Sequence, residues 1–164
     1  MFEAEASELL SRLAETLVDR GWKMATAESC TGGWIAKCCT DLAGSSAWFE
    51  RGFVTYSNEA KMEMLGVDRA ALASDGAVSR AVAEQMALGA RQRAPVKVSL
   101  SVTGIAGPDG ASEEKPVGLV WFGWSIADRE IECQQQYFEG DRDAVRRKSV
   151  LHALQGLLSR IERA

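Results

Sequence analysis

Residues 26–33, which read Thr-Ala-Glu-Ser-Cys-Thr-Gly-Gly, are the segment that most restricts how this chain can fold. They follow a short apolar run at 23–27 and precede a helical pattern at 34–40, which predicts a strand that leads directly into a helix. Such a junction presents unpaired backbone N–H groups and the positive end of a helix dipole, where a phosphate or an oxyanion can bind. An ordinary N-capped helix explains the same residues, so both interpretations stay open for the segment alone.

Strand and helix patterns alternate along the whole chain. Strands are predicted at 23–27, 48–56, 96–102, 117–126 and 131–138, and helices at 3–20, 34–41, 58–65, 69–73, from 79 to before 95, and from 140 onward. This order predicts a three-layer α/β/α fold with a mixed sheet. A length of 164 residues suits one domain with a full hydrophobic core, so residues 1–164 are assigned to a single domain.

Composition and charge restrict the location and the partners. No apolar run approaches the roughly 20 residues of a membrane-spanning helix. The acidic, amphipathic N-terminus is unlike a signal peptide, so we expect a cytoplasmic protein. A net charge of −4 argues against a nucleic-acid partner. Frequencies among soluble oligomers favour a homodimer.

The four cysteines, Cys30, Cys38, Cys39 and Cys133, form no Cys-x-x-Cys pair, and only one histidine, His152, is present to join them in a metal site. We therefore predict no metal site. Cys30 alone falls in the junction, where a helix N-terminus would lower the pKa of its thiol. A cysteine nucleophile is thus an alternative, although His152 lies in the terminal helix and no other obvious partner is in view.

A lysine near the start of the third predicted helix is a second candidate for chemistry. The pattern makes Asn58 the N-cap, which places Lys61 at the third helical position. A lysine in a first helical turn is disfavoured by the dipole, and most such lysines are simply solvated. A lysine held there for catalysis would be shifted toward its neutral form, which can activate a nucleophile.

Two further segments resemble ligand sites. A second glycine-rich loop, at 103–110, follows a strand and extends through Pro116, and a loop of this length in a compact domain is more often functional than idle. Arg142 and Arg146 are four residues apart, and Arg146 is four residues before the apolar Val150. This spacing places both guanidinium groups on the inward-tending face of the last helix, where they would form surface salt bridges or bind an anion.

Several segments, taken together and in order, resemble the CinA C-terminal domain family. They are 26–33, 44–46, 52–58, Lys61, 65–67, 102–109, 115–118 and 140–142, and the resemblance runs from about residue 9 to residue 158. Stand-alone members of this family include nicotinamide-nucleotide amidohydrolases. The resemblance therefore implies hydrolysis of the carboxamide of nicotinamide mononucleotide, which yields nicotinate mononucleotide and ammonia, without a metal or other cofactor.

The family is described as using a serine and a lysine, which match Ser29 and Lys61 in this chain. Ser45 and Ser46 fall in another family motif and are alternative nucleophiles. Tyr56 or the protonated Lys61 would return a proton to the leaving ammonia. The other residues expected to bind the substrate are Cys30, Thr31, Gly32, Gly33, Ser45, Ser46, Asn58, Thr103, Gly104, Gly107, Arg142 and Arg146.

In this expectation, backbone N–H groups of residues 30–33 stabilise the oxyanion, Arg142 or Arg146 binds the phosphate, and the loop that begins at Thr103 receives the ribose or the phosphate. A function of a different class is a non-catalytic nucleotide-binding or regulatory module connected with competence or DNA damage. Such a module would need the glycine loops and the arginines but neither Ser29 nor Lys61.

Overall fold

The computed structural model describes all residues, 1–164, and arranges them as one mixed sheet between two helical layers. The elements are α1 (Phe2–Arg20), β1 (Met24–Glu28), α2 (Trp34–Asp41), a 3₁₀ turn (Ser45–Ala47), β2 (Phe49–Val54), α3 (Asn58–Leu65), α4 (Arg69–Asp75), α5 (Arg80–Gln92), β3 (Val98–Gly104), β4 (Leu119–Ile126), β5 (Glu132–Tyr137) and α6 (Arg142–Glu162). The predicted α/β class and the mixed sheet are confirmed.

The strand order is β2-β1-β3-β4-β5. β1 runs parallel to both β2 and β3, whereas β4 pairs antiparallel with β3 and β5 pairs antiparallel with β4. The chain crosses from β1 to β2 on one side of β1 and then returns to β3 on the other side. In α/β sheets, a ligand crevice lies at the carboxyl ends of the strands where the order reverses in this way.

Two hydrophobic clusters hold the layers together. The larger one joins α1, α2 and α6 to one face of the sheet, with Leu13, Leu17, Leu154 and Leu157 fully buried. The smaller one, which includes Leu65, packs α3 and α5 on the other face. Each face of the sheet is therefore covered, which explains why β3 and β4 are buried on both sides.

A tight contact between α6 and the sheet sets the depth at which α6 packs. The indole nitrogen of Trp124 donates to the carbonyl of Ala153 at 2.9 Å. A Cβ atom on Gly156 would lie 2.2 Å from the Trp124 ring, so only glycine fits there. This contact fixes the helix whose first turns reach the carboxyl edge of the sheet.

Several elements begin or end at residues other than those predicted, and the N-cap of α3 differs from the prediction. Asn58 is not the N-cap of α3: the Ser57 hydroxyl accepts from the amide of Ala60 at 3.0 Å, so Asn58 is the first helical residue and Lys61 is the fourth. At the end of β2, Thr55 is buried while Val54 and Tyr56 are exposed. No helix has the length and apolar character that a membrane crossing requires.

Candidate active site

A cavity of about 300 Å³ lies at the carboxyl edge of the parallel strands. It brings together nine of the predicted site residues, namely Ser29, Cys30, Tyr56, Asn58, Lys61, Thr103, Gly104, Gly107 and Arg142. Asp109, Ala77 and Val78 also line it, and sequence reasoning gave these three no role. A larger groove of about 530 Å³ between α1 and α6 contains neither the serine nor the lysine of the predicted pair. Volume alone therefore does not identify the site.

Ser29 and Lys61 are in direct contact at the bottom of this cavity. The Nζ atom of Lys61 lies 2.9 Å from the Ser29 hydroxyl oxygen, and it also donates to the carbonyl oxygens of Thr55 at 2.9 Å and Tyr56 at 3.0 Å. Ser29 follows β1 directly, and its own amide donates to the carbonyl of Val102 on β3. The nucleophile candidate is therefore held by the two central strands, and the lysine reaches it from α3.

Lys61 is only 1% exposed, and no carboxylate lies within ion-pair distance of it. Burial disfavours its charged form and lowers its pKa from 10.5 to about 8. In the neutral form, the two carbonyls take up the two N–H donors of the amine. The lone pair then faces the Ser29 hydroxyl, which can donate its proton. This arrangement is that of a general base next to its nucleophile.

The loop after Ser29 consists of two consecutive turns. The Ser29 carbonyl accepts from the amide of Gly32 at 3.0 Å, and the Thr31 carbonyl accepts from the amide of Trp34 at 3.0 Å. Gly32 and Gly33 have φ values of 58° and 98°, the left-handed conformation that glycine adopts without steric cost. The backbone amides of Cys30, Thr31 and Gly33 donate to no other residue of the chain.

Glu28 is a residue of this junction whose role sequence reasoning missed. Its buried carboxylate accepts from the Thr31 hydroxyl at 2.6 Å and from the α2 amides of Ile35 at 2.9 Å and Ala36 at 3.0 Å. The N-terminus of α2 is therefore already capped by an anion of the protein. The sequence did contain a signal for this cap: Glu28 is a carboxylate at the end of a strand, six residues before the helix begins.

The side chain of Cys30 belongs to the large hydrophobic cluster and is 6% exposed. Burial raises the pKa of its thiol to about 12, which is opposite to the lowering expected from a helix N-terminus. His152 packs among Phe122 and Phe138 and hydrogen-bonds Gln134, so it is not a base for this thiol. The alternative of a cysteine nucleophile is therefore not supported.

Arg142 is the cation at the cavity wall. One terminal nitrogen donates to the carbonyl of Gly107 at 2.7 Å, and the other lies 3.5 Å from the hydroxyl of Tyr56, a residue that is 64% exposed. Thr103 also lines the cavity, is buried, and donates to the carbonyl of Ala77 at 2.9 Å. Arg142 thus joins the second glycine-rich loop to α6 at the mouth of the cavity.

Six predicted binding residues do not line the cavity: Thr31, Gly32 and Gly33 of the junction loop, and Ser45, Ser46 and Arg146. Arg146 donates through Nε to the carbonyl of Cys30 at 3.0 Å and through Nη2 to that of Thr31 at 3.2 Å, so it contacts the back of the junction loop. Ser45 and Ser46 lie in the 3₁₀ turn before β2, at the end of the sheet where β1 begins. The length of β1, roughly 16 Å at about 3.3 Å per residue, separates them from Ser29 within the chain.

A serine hydroxyl paired with a desolvated lysine, beside unpartnered backbone amides at the carboxyl edge of an α/β sheet, defines a site suited to nucleophilic hydrolysis. No group of three or more His, Cys, Asp or Glu side chains is placed to hold a metal ion.

The sequence model of the CinA C-terminal domain matches residues 6–161, and this chain belongs to that family. It is 55% identical over 157 residues to the nicotinamide-nucleotide amidohydrolase PncC of Escherichia coli, with 96% of this chain and 95% of the relative covered. A Pseudomonas putida protein of the same name is 48% identical, with 92% and 93% covered.

Solved structures of the same superfamily have the same fold. The competence/damage inducible protein CihA from Agrobacterium tumefaciens superimposes with a TM-score of 0.92 at 44% identity, over 94% of each chain. A competence damage-inducible protein A from Klebsiella pneumoniae also gives 0.92, at 37% identity, over 96% of this chain and 97% of that one. The predicted family is confirmed by these likenesses.

Proposed function

We propose that this protein hydrolyses the carboxamide of nicotinamide mononucleotide to nicotinate mononucleotide and ammonia, with Ser29 as nucleophile and Lys61 as base. One observation carries the mechanism: the Nζ atom of the buried Lys61 lies 2.9 Å from the Ser29 hydroxyl. The substrate is supported by the name of relatives, nicotinamide-nucleotide amidohydrolase, which match this chain over nearly its whole length at 48–55% identity.

In the first step, neutral Lys61 takes the proton of the Ser29 hydroxyl while the oxygen attacks the carboxamide carbon. A C–O bond forms, and the carbonyl π electrons move to the oxygen. The unpartnered amides of Cys30 and Thr31 are the donors available next to Ser29 for this oxyanion. Such a donor is worth about 3 kcal/mol in the transition state.

In the second step, the oxyanion reforms the carbonyl and the C–N bond breaks. The nitrogen leaves as ammonia with the proton that Lys61 accepted, because Lys61 is the charged donor in contact with the reacting oxygen. Tyr56 is the less suitable donor, since its hydroxyl faces Arg142 at the exposed rim. A water molecule, deprotonated by Lys61, then cleaves the Ser29 ester, releases nicotinate mononucleotide and restores the hydroxyl.

Arg142 is the binding residue for the phosphate in this proposal. It is the arginine in the cavity wall, and its hydrogen bond to Gly107 holds the guanidinium group over the second glycine-rich loop. A guanidinium group binds a phosphate in a bidentate manner. Thr103, Gly104 and Gly107 then form the wall that faces the ribose.

The non-catalytic binding module is the weaker alternative. Such a module gains nothing from a buried lysine without a carboxylate partner, because burying an uncompensated charge costs stability. The cytoplasmic location, the homodimer and the absence of a metal requirement stay predictions.

The test is ammonia release from nicotinamide mononucleotide by the EDTA-treated protein. We expect turnover by the wild type, loss of at least roughly 10³-fold in Ser29→Ala and Lys61→Met, and turnover within a few-fold of wild type in Ser46→Ala. Thermal unfolding establishes that each variant is folded. Full turnover by folded Ser29→Ala would reject the nucleophile. A wild type that binds the nucleotide without releasing ammonia would favour the binding module.

A further inference from the structure

We propose that Arg146 is a positioning residue that orients the oxyanion-binding amides, rather than a ligand of the substrate phosphate. The inference rests on the proposed amidase function. It starts from the fact that the guanidinium group of Arg146 does not line the cavity but bonds two successive carbonyls of the loop after Ser29.

The contact between Arg146 and the loop consists of two hydrogen bonds. Nε of Arg146 donates to the carbonyl of Cys30 at 3.0 Å, and Nη2 donates to that of Thr31 at 3.2 Å. The guanidinium carbon also lies 5.2 Å from the centre of the Trp34 ring, within the range of a cation–π interaction. A planar group held by two bonds and by an aromatic ring has a fixed orientation, which a lysine cannot reproduce.

The planarity of the peptide bond transmits that orientation to the opposite side of the loop backbone. The carbonyl of Cys30 and the amide of Thr31 belong to one peptide unit, and in a trans peptide they point in opposite directions. When Arg146 fixes the carbonyl, it fixes the unpartnered Thr31 N–H as well. The bond to the Thr31 carbonyl holds the next peptide, whose Gly32 amide donates back to the carbonyl of Ser29.

Charge supports the same conclusion. Arg146 has no carboxylate within ion-pair distance, whereas its neighbour Arg147 pairs with Asp143 at 2.9 Å. The positive charge of Arg146 therefore polarises the two loop peptides without being neutralised by a side chain. Polarised peptides are stronger N–H donors, and the charge itself favours an anion that forms on the other side of the loop.

Three arginines of one helix provide the test. Steady-state kinetics with nicotinamide mononucleotide are measured for Arg146→Gln, Arg146→Lys, Arg142→Gln and, as the matched control, the exposed Arg147→Gln. We expect Arg146→Gln to lower kcat on the order of 10- to 100-fold with KM changed less than about 2-fold, because oxyanion stabilisation acts only in the transition state. Arg146→Lys should lower kcat less than Arg146→Gln does. Arg142→Gln should mainly raise KM, and Arg147→Gln should match the wild type.

Two additional readouts separate positioning from a general structural role. The midpoint of the pH–rate profile should stay at the wild-type value in Arg146→Gln, since the Ser29–Lys61 contact does not involve Arg146. Binding of the nucleotide to Ser29→Ala/Arg146→Gln should equal binding to Ser29→Ala. A raised KM with unchanged kcat, or wild-type kcat in both folded Arg146 variants, would overturn the proposal. If Arg146→Gln does not fold, Arg146→Lys provides the test: a lowered kcat supports the proposal and a wild-type kcat overturns it. Failure of the proposed function is distinct, because the wild type itself would then release no ammonia.

Discussion

The pH dependence of the reaction is the sharpest consequence of the buried lysine. In the proposed mechanism only the neutral form of Lys61 accepts the Ser29 proton, and burial lowers the pKa of Lys61 to about 8. At pH 7 roughly a tenth of the molecules then hold a neutral Lys61, and at pH 6 roughly a hundredth. We expect kcat/KM to rise about tenfold per pH unit below pH 8 and to level off above it.

The assay is ammonia release at nicotinamide mononucleotide concentrations well below KM, between pH 6.5 and 10, where kcat/KM reports groups of the free enzyme and substrate. The phosphate of the substrate titrates near pH 6, so the slope above pH 7 belongs to the enzyme. Lys61→Arg serves as the control, because a guanidinium group stays protonated throughout this range. It should be inactive at every pH.

A profile that is flat between pH 6.5 and 9 in a protein with active Ser29 would refute the role of neutral Lys61 as base. A midpoint near 10.5, the ordinary value for a lysine, would show that burial does not lower the pKa as the contacts require. Residual, pH-independent activity in Lys61→Arg would assign the proton transfer to another group.

Three further predictions concern the same junction. Lys61→Met should remove a pH-dependent contribution to stability. Between pH 8 and 10.5 the unfolded chain binds a proton at Lys61 that the folded chain lacks, so the wild type should gain about 2.5 kcal/mol relative to the variant from pH 7 to 10 in urea unfolding. Glu28→Gln, whose amide nitrogen cannot accept a hydrogen bond, should cost about 3 kcal/mol of unfolding free energy, and equal stability of both proteins would contradict the cap. Cys30→Ala should keep kcat within about threefold, because a thiol with a pKa of about 12 is not ionised at neutral pH; a loss as large as that of Ser29→Ala would restore the cysteine alternative.

The fold was largely predictable because its signals are local. Apolar stripes with helical period and alternating strands gave the order of elements, and the sheet and both helical layers follow from that order. The cap of α3 was missed because Ser57 and Asn58 are both good caps, and only the bond from the amide of Ala60 to the Ser57 hydroxyl distinguishes them.

Sequence patterns predicted the residues that follow strand ends and those at the starts of α3 and α6 that line the cavity, but not the positions of Ser45, Ser46 and Arg146. The family motif suggested that Ser45 and Ser46 belong to the site, but residues that enter a parallel strand lie at the opposite edge from residues that leave its neighbour. Periodicity placed Arg142 and Arg146 on one face of α6, yet one helical turn is about 5.4 Å along the axis. That distance lets Arg142 reach the cavity while Arg146 reaches the back of the junction loop.

The alternation of side chains at the end of β1 reconciles a neutral lysine with an adjacent carboxylate. Glu28 and Ser29 are consecutive, and successive residues at a strand end point to opposite faces of the sheet. The Glu28 carboxylate is held by three donors at the start of α2, whereas the Ser29 hydroxyl meets Lys61 of α3. A carboxylate within ion-pair distance of Lys61 would favour the charged amine and remove the base. The same strand end therefore anchors α2 with a negative charge and keeps that charge away from the lysine that the chemistry requires to be neutral.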